Sequence, residues 1–446
     1  MTTNHAFPIV RRLPQAVLIS AATLALSACG GGGDSASSQT YTLGGTVSAL
    51  TGSGLILKSN GQTVNVAANM STFTFTTEVT GSYAVSILSQ PAGETCSVAN
   101  ASGSSTSGTT VTSVAVTCRP YTLYVADQSA GAIAQFVVGS DGTLTAAATP
   151  VVSTSFSPDA IVVSADGAHA WVGYQDDNGI STFTTDSAGL LGPASGSARA
   201  LSTQDALSLG ADGTSLYVAE YGAAKVSQFA IGSAGVLPSA PSNSAAAGVN
   251  PGAVAATADG AHLYVANSSA DSLSGYSLNS SGAPTALSAT TSTSAYGSSP
   301  RGLAVNPNGG ALYVTLSASA KIVQYNVDAS TGALTYSQAI ATGTTPRGIA
   351  VTPSGAYAYV ANYGSNTISQ YTLTGSSITP LSTATVAAGS HPVSISISPD
   401  GTHAYVTNFG DGTISQFAIG ANGLLAPLTP ATVSSGGAGP VAAAIR

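Results

Sequence analysis

The sequence predicts an all-β chain, a seven-bladed β-propeller with N/C-terminal strand closure, preceded by a small disulfide-containing β-sandwich-like domain. Three observations predict it. An aromatic residue in the frame apolar-aromatic-Val recurs as Tyr124, Trp171, Tyr217, Tyr264, Tyr313, Tyr359 and Tyr405, at spacings of 46 to 49 residues. A second aromatic follows each of them twelve residues later, at Phe136, Phe183, Phe229, Tyr276, Tyr325, Tyr371 and Phe417. Charged residues are only 6% of the chain, against roughly 25% in ordinary soluble proteins, which leaves too few Lys, Glu and Arg to solvate the wet faces of amphipathic helices.

Each repeat holds four short strand candidates. In the sixth they are 348–352, 358–362, 367–373 and 377–385. A period of this length marks a repeated supersecondary unit, and four antiparallel strands repeated around an axis make propeller blades. The turn after the first strand recurs as Asp166-Gly167, Asp212-Gly213, Asp259-Gly260, Asn308-Gly309 and Asp400-Gly401; Asp-Gly and Asn-Gly supply the positive φ that tight hairpins need. Tyr121 starts at a second strand with no first strand before it, and Gly439 to Arg446 form a first strand with no second. Pairing the two would complete one blade and remove an open sheet edge. The propeller is therefore expected over residues 120–446.

The segments Tyr359-Val360-Ala361-Asn362 and Tyr405-Val406-Thr407-Asn408 resemble the YVTN repeats of surface propellers. More broadly, the repeats are similar to the seven-bladed lactonase family typified by 6-phosphogluconolactonase. The resemblance covers Tyr121 to Arg446. It implies the fold, and an enzyme of this kind would be a lactone hydrolase with Arg and acidic groups at the central mouth.

The N-terminus reads as a targeting segment over residues 1–28. Arg11 and Arg12 precede a short apolar run, Ala16 to Leu26, which ends in Leu26-Ser27-Ala28-Cys29. The run is too short for a comfortable membrane span. The ending resembles the lipobox of bacterial lipoproteins, which implies cleavage before Cys29, lipidation of that residue, and a membrane partner through the lipid anchor. Several acyl chains on one residue anchor stably where one would not. Gly30 after the Cys fits outer-membrane sorting, and 29–40 reads as the lipidated Cys with a flexible Gly/Ser linker. Residues 41–119 alternate apolar and polar in short segments, as in Thr72-Phe73-Thr74-Phe75, and are expected to form the small all-β domain. Cys96 and Cys118 are the two remaining cysteines. In an exported chain they are expected to pair, a link worth roughly 3 kcal/mol on chain entropy. With no nearby His, metal binding there is not expected.

Strand polarity brings two sets of residues to one rim. Residues after the proline that opens each first strand, with Gln204 replacing it in one repeat, include Asp159, Asp205, Arg301 and Arg347, with His391 just before Pro392. Residues three past each marker aromatic include Asp127, Glu220, Asn267, Asn362 and Asn408. The expected mouth thus has an acidic half, with Asp127, Asp159, Asp205 and Glu220, and a basic half, with Arg301 and Arg347. Such a mouth suits a polar ligand carrying a carboxylate or phosphate. If it hydrolyses a lactone, Glu220 or His391 is the candidate base, and Arg301 and Arg347 are the candidate oxyanion partners. His169, His262 and His403 recur two residues before a marker aromatic, a spacing that assigns them to hairpins on the other rim. No cofactor and no metal are expected. Net charge is −8 and eight cations remain beyond Arg12, too few to neutralise many phosphates, so nucleic acid is not an expected partner. The first reading is a monomeric cell-envelope lipoprotein whose propeller is a platform for a small polar ligand or an envelope protein. The alternative is a lactonase-family hydrolase acting at the same mouth.

Overall fold

A computed structural model of the chain describes residues 40–105, 108–154, 156–175, 179–198, 201, 206–209, 213–375 and 377–446. Cys29 and Asp205 lie outside the described residues.

The first strands form a small sandwich. One sheet aligns 72–74, Leu43–Ser48, Val111–Pro120 and Glu94–Ala99 in that order; a second joins 40–41, Val79–Ala84 and 102–105; a third joins Leu55–Ser59, Gln62–Val66 and 86–89. Leu43, Leu55, Leu57, Phe73, Phe75 and Val114 are buried in its own core. Leu43–Ser48 and Val111–Pro120 run parallel, whereas Val111–Pro120 and Glu94–Ala99 run antiparallel and set Cys118 directly opposite Cys96. The two cysteines form a buried disulfide. Glu94 stands close to both sulfurs, but those sulfurs are bonded to each other and its carboxylate accepts instead from the Thr51 amide at 2.9 Å and the Thr51 hydroxyl.

Beyond Pro120 come seven sheets, here numbered as blades in chain order, with strands a to d from the centre outward. Blade 1 has b Thr122–Asp127, c Ala132–Val138 and d Leu144–Ser153; its strand a is Pro440–Ile445. Strands a to d are 158–163, 169–174, 180–185 and 191–198 in blade 2, and 206–209, 215–220, 225–230 and 243–246 in blade 3. Blade 4 has 251–256, 262–267, 272–278 and a broken outer strand, 284–286 with 291–292. Blades 5, 6 and 7 begin at Pro300, Pro346 and Pro392 and end their outer strands at Ala341, Ala387 and Ser434. The a strands touch one another in turn, and Pro440–Ile445 lies against the a strands of both blade 2 and blade 7.

The core lies between blades. Leu123, Val125 and Phe136 of blade 1 pack with Tyr405 and Ile414 of blade 7; Tyr124 and Ile133 pack with Ala170, Val172 and Phe183 of blade 2. Each such aromatic removes enough apolar surface to contribute about 1.5–3 kcal/mol. The marker aromatics also carry a polar tip, which needs a partner once buried. Trp171 Nε1 donates to the Gly235 carbonyl at 3.0 Å, and the hydroxyls of Tyr217, Tyr264, Tyr359 and Tyr405 donate to Gly282, Gly332, Gly423 and Gly142 at 2.7–2.8 Å. Tyr124 makes the same bond to Gly189. Every acceptor sits in the outer hairpin of the next blade, so the repeated aromatic bolts neighbours together. His169, His262 and His403 pack over Gly235, Gly332 and Gly142 at those same hairpins. Their recurrence is architectural.

Candidate functional site

The mouth is built by the start of strand a and the residues just after strand b. Pro158, Pro251, Pro300, Pro346 and Pro392 pair with the last residues of their b strands, and one extra residue is then inserted on strand a. Such a bulge breaks the ladder and re-aims the side chain it carries. Asp159, Arg301 and Arg347 stand at these bulges. The residues before four of the prolines, Asn250, Ser299, Thr345 and His391, hold φ of 51–59°. Their carbonyls accept from Ser268, Ser317, Tyr363 and Phe409, so this left-handed step is part of the repeat.

In blades 5 and 6 the bulge is Arg-Gly. The Gly302 amide donates to Thr315 Oγ1 at 2.8 Å, and Thr315 Oγ1 donates to the Arg347 carbonyl at 2.7 Å. One hydroxyl therefore links the two arginine-bearing strands. A methyl group at 302 would lie 2.3 Å from the Arg347 carbonyl oxygen, and one at 348 would lie 2.6 Å from that of Val393. Only glycine permits this approach.

A cavity of about 490 Å³ opens here, with Arg301 and Arg347 on one side and Gln128, Asp159 and Gln175 on the other. Tyr363 and Phe409 flank it, and Ala160, Gly252, Val441 and Ala442 supply its apolar wall. Arg301 is exposed and Arg347 half-buried. The Arg347 guanidinium lies 3.7 Å from the centre of the Tyr363 ring, a cation–π contact that fixes its orientation. His391 stacks on the same ring at 4.5 Å, and its amide donates to Asn366 Oδ1 at 2.8 Å. Across the mouth, Gln128 Nε2 donates to Gln175 Oε1 at 2.8 Å and, more weakly, to Asp159 Oδ1 at 3.4 Å.

The residues expected three past the marker aromatics do not line this cavity. They occupy the expected rim but are turned into the sheets. Asn267 Nδ2 donates to Ser272 and Ser274, Asn362 Nδ2 to Thr367 and Ser369, and Asn408 Nδ2 to Thr413 and Ser415, all at 2.9–3.2 Å. Glu220 is the same position in blade 3. It is fully buried, accepts from the Ser227 hydroxyl, and pairs with Lys225 at 3.3 Å. Asp127 is buried too, and accepts from Ala130, Ser435 and Gly439 at 3.0–3.2 Å. The reason is radial geometry: strand b lies one strand spacing, ~4.8 Å, outside strand a, and its side chains face neighbouring blades rather than the axis. Glu220 thus does not reach the cavity as a base. Sequence reasoning missed Gln128, Gln175, Tyr363 and Phe409. They follow strand b by one residue, and that position alternates too freely between repeats to stand out.

The family described as "Lactonase, 7-bladed beta-propeller" matches residues 236–346 and 320–382. No curated protein sequence matches the chain. Solved structures match its fold. A candidate 6-phosphogluconolactonase of Bacteroides uniformis is 19% identical, over 73% of this chain and 99% of that one, with a TM-score of 0.64. One from Bacteroides fragilis is 20% identical, over 73% and 98%, at 0.63. The periplasmic gluconolactonase of Pseudomonas aeruginosa is 19% identical, over 73% and 98%, also at 0.63.

Proposed function

We propose, for a chain whose residues 236–382 match the seven-bladed lactonase propeller family, that the mouth binds a small, water-soluble, polar ligand through an anionic group, and that lipid on Cys29 holds the chain at the cell envelope as a binding platform. The observation that carries this reading is the pair of guanidiniums on adjacent blades facing one cavity, with two amides and a carboxylate opposite. A carboxylate or phosphate would sit against Arg301 and Arg347, where charge-assisted hydrogen bonds are strongest. Gln128, Gln175 and Asp159 would receive hydroxyl groups. Tyr363 sets the angle of Arg347 beside the anion. The Arg301→Ala, Arg347→Ala double variant tests this by calorimetry against a panel of sugar acids and sugar phosphates. We expect micromolar to millimolar binding by the parent chain and its loss in the variant. Equal binding by both sinks the reading.

A second reading, hydrolysis of a lactone, is favoured by the family match and by the facing carboxylate and arginines. Water would add to the lactone carbonyl, the ring C–O bond would break, and the departing alkoxide would take a proton to leave a hydroxy acid. With Glu220 enclosed, Asp159 is the carboxylate in reach for activating that water, with His391 behind Tyr363. Arg301 and Arg347 would hold the developing oxyanion. Acid release from a panel of aldonolactones, lost in Asp159→Asn, is the expected result. No turnover on any of them leaves the binding reading alone.

A further inference from the structure

The molecule has two poles, and the mouth occupies one of them. Strands a and c end, and b and d begin, on the rim opposite the mouth. The small sandwich meets the propeller on that opposite rim. Gly93 packs against Gly139 and Ser140 in the outer hairpin of blade 1, and its carbonyl accepts from the Tyr121 amide at 2.8 Å. Arg119 donates to the carbonyls of Asp166 and Gly167 in the a–b turn of blade 2. Thr95, Arg119 and Arg446 share a small pocket with Gly167 and Gly189 there.

Parallel pairing then fixes where the chain enters the sandwich. Val111–Pro120 runs toward the propeller, and Leu43–Ser48 runs beside it in the same direction, with Leu43 opposite Val111 and Ser48 opposite Thr117. Thr42 accepts from the Val111 amide at 2.9 Å. The first described residues therefore sit at the end of the sheet away from the junction, ~30 Å along a ten-residue strand. Six-residue blade strands add ~20 Å between the two rims.

We infer that the mouth is the pole turned away from the chain's N-terminal attachment, so that its ligand arrives from the aqueous side facing away from the membrane. A ligand embedded in the anchoring bilayer does not fit this layout. The membrane part of the inference rests on the lipid anchor proposed above; the polarity of the molecule does not.

Two measurements separate them. Thr80, which pairs with Thr40, and Ala130, in the b–c turn of blade 1 beside the mouth, are both exposed. Spin labels on Thr80→Cys and Ala130→Cys in the full chain should lie beyond about 40 Å by dipolar spectroscopy, given the strand lengths above. A distance near half of that overturns the inference outright. In the second measurement the lipidated chain is bound to phosphatidylglycerol/phosphatidylethanolamine vesicles with headgroup acceptors. Energy transfer from a donor at Thr80→Cys should exceed that from Ala130→Cys severalfold. Equal or reversed transfer overturns the outward-facing mouth. Failure of the chain to bind vesicles at all, with the long distance intact, overturns the membrane part through the anchor alone.

Discussion

Glu220 is longer than Asn267, Asn362 and Asn408 by a methylene and carries a charge, yet it holds the equivalent two partners five and seven residues on: Lys225 and Ser227 in place of two hydroxyl residues. Its role follows from that company. Glu220→Gln keeps an acceptor for Ser227 and should melt close to the parent, while Glu220→Ala leaves a buried hydroxyl without its acceptor and should cost about 1–3 kcal/mol. Neither should change ligand binding or acid release, and calorimetry on both variants checks this; a Gln variant that folds normally but loses turnover would restore Glu220 as the base. Gly302→Ala should behave in the opposite way. Its methyl group meets the Arg347 carbonyl at 2.3 Å, so the two arginine strands must part, and both melting temperature and ligand affinity should fall. The rim position of Glu220 was legible from repeat spacing, because strand polarity is a property of the backbone. Its inward orientation was not, because spacing does not distinguish a strand that lines the axis from one a strand further out.

The a–b turn is the element in which sequence and structure agree most closely. Ser164, Thr257 and Ser398 each stand two residues before the turn Asp, and each donates its hydroxyl to that carboxylate at 2.5–2.6 Å. The amides of Ala168, Ala261 and Thr402 donate to Asp166, Asp259 and Asp400 at 2.9–3.0 Å. The side-chain bond from Ser164 holds Asp166 below the ordinary carboxylate value of 3.8, and that from Thr257 does the same for Asp259. At Asp400 burial pushes upward, and bonds from Ser398 and Thr402 outweigh it. A carboxylate with a lowered folded pKa binds fewer protons folded than unfolded, so its stabilisation is complete above 3.8 and is lost as pH falls through the folded value. His403 adds to the same trend earlier: burial lowers its pKa against the pull of Asp400, so stability begins to fall below about 6.5, its unfolded value. Melting temperature should therefore drop on acidification, and the Asp166→Asn, Asp259→Asn, Asp400→Asn variant should reduce the part below about pH 4, to which Asp141 and Asp328 also contribute, while leaving the part near pH 6 in place. Asn308 already serves at this turn in blade 5, where its side-chain Nδ2 donates to the Ser354 carbonyl at 2.8 Å, so the variant should fold. The sandwich strands were harder to read. The strand 102–105 is Ser-Gly-Ser-Ser, with no apolar alternation at all, and in Val79–Ala84 Gly81 and Ser82 interrupt the apolar pattern.

At the scale of the whole molecule, a repeat that is counted seven times in the sequence appears as seven sheets, because a period of aromatics reports the contacts between units and not only their number. The mouth was legible only as far as strand a. Its chemistry depends on bulges and on Tyr363, which no periodicity announces. The two ends of the propeller meet in blade 1: Leu123 pairs with Ile445, Tyr124 with Ala444, and Ala126 with Ala442, while the Thr122 and Arg446 backbones exchange two hydrogen bonds at 2.8 and 3.1 Å. Val441 and Ala442 also wall the cavity. Deleting Val441 to Arg446 removes the centre of one blade and uncovers Tyr124 and Ala126, while Asp127 keeps its donors Ala130, Ser435 and Gly439. Each of these losses falls on the same sheet, and the gap also separates blade 2 from blade 7. The truncated chain should melt far below the parent by calorimetry, and should lose ligand binding together with its melting transition rather than separately. Deleting Arg446 alone keeps the paired residues Ala442 to Ile445 and should cost much less. Unchanged melting after the longer deletion would mean that the ring is held by contacts between blades alone, with the terminal strand laid over a structure already complete.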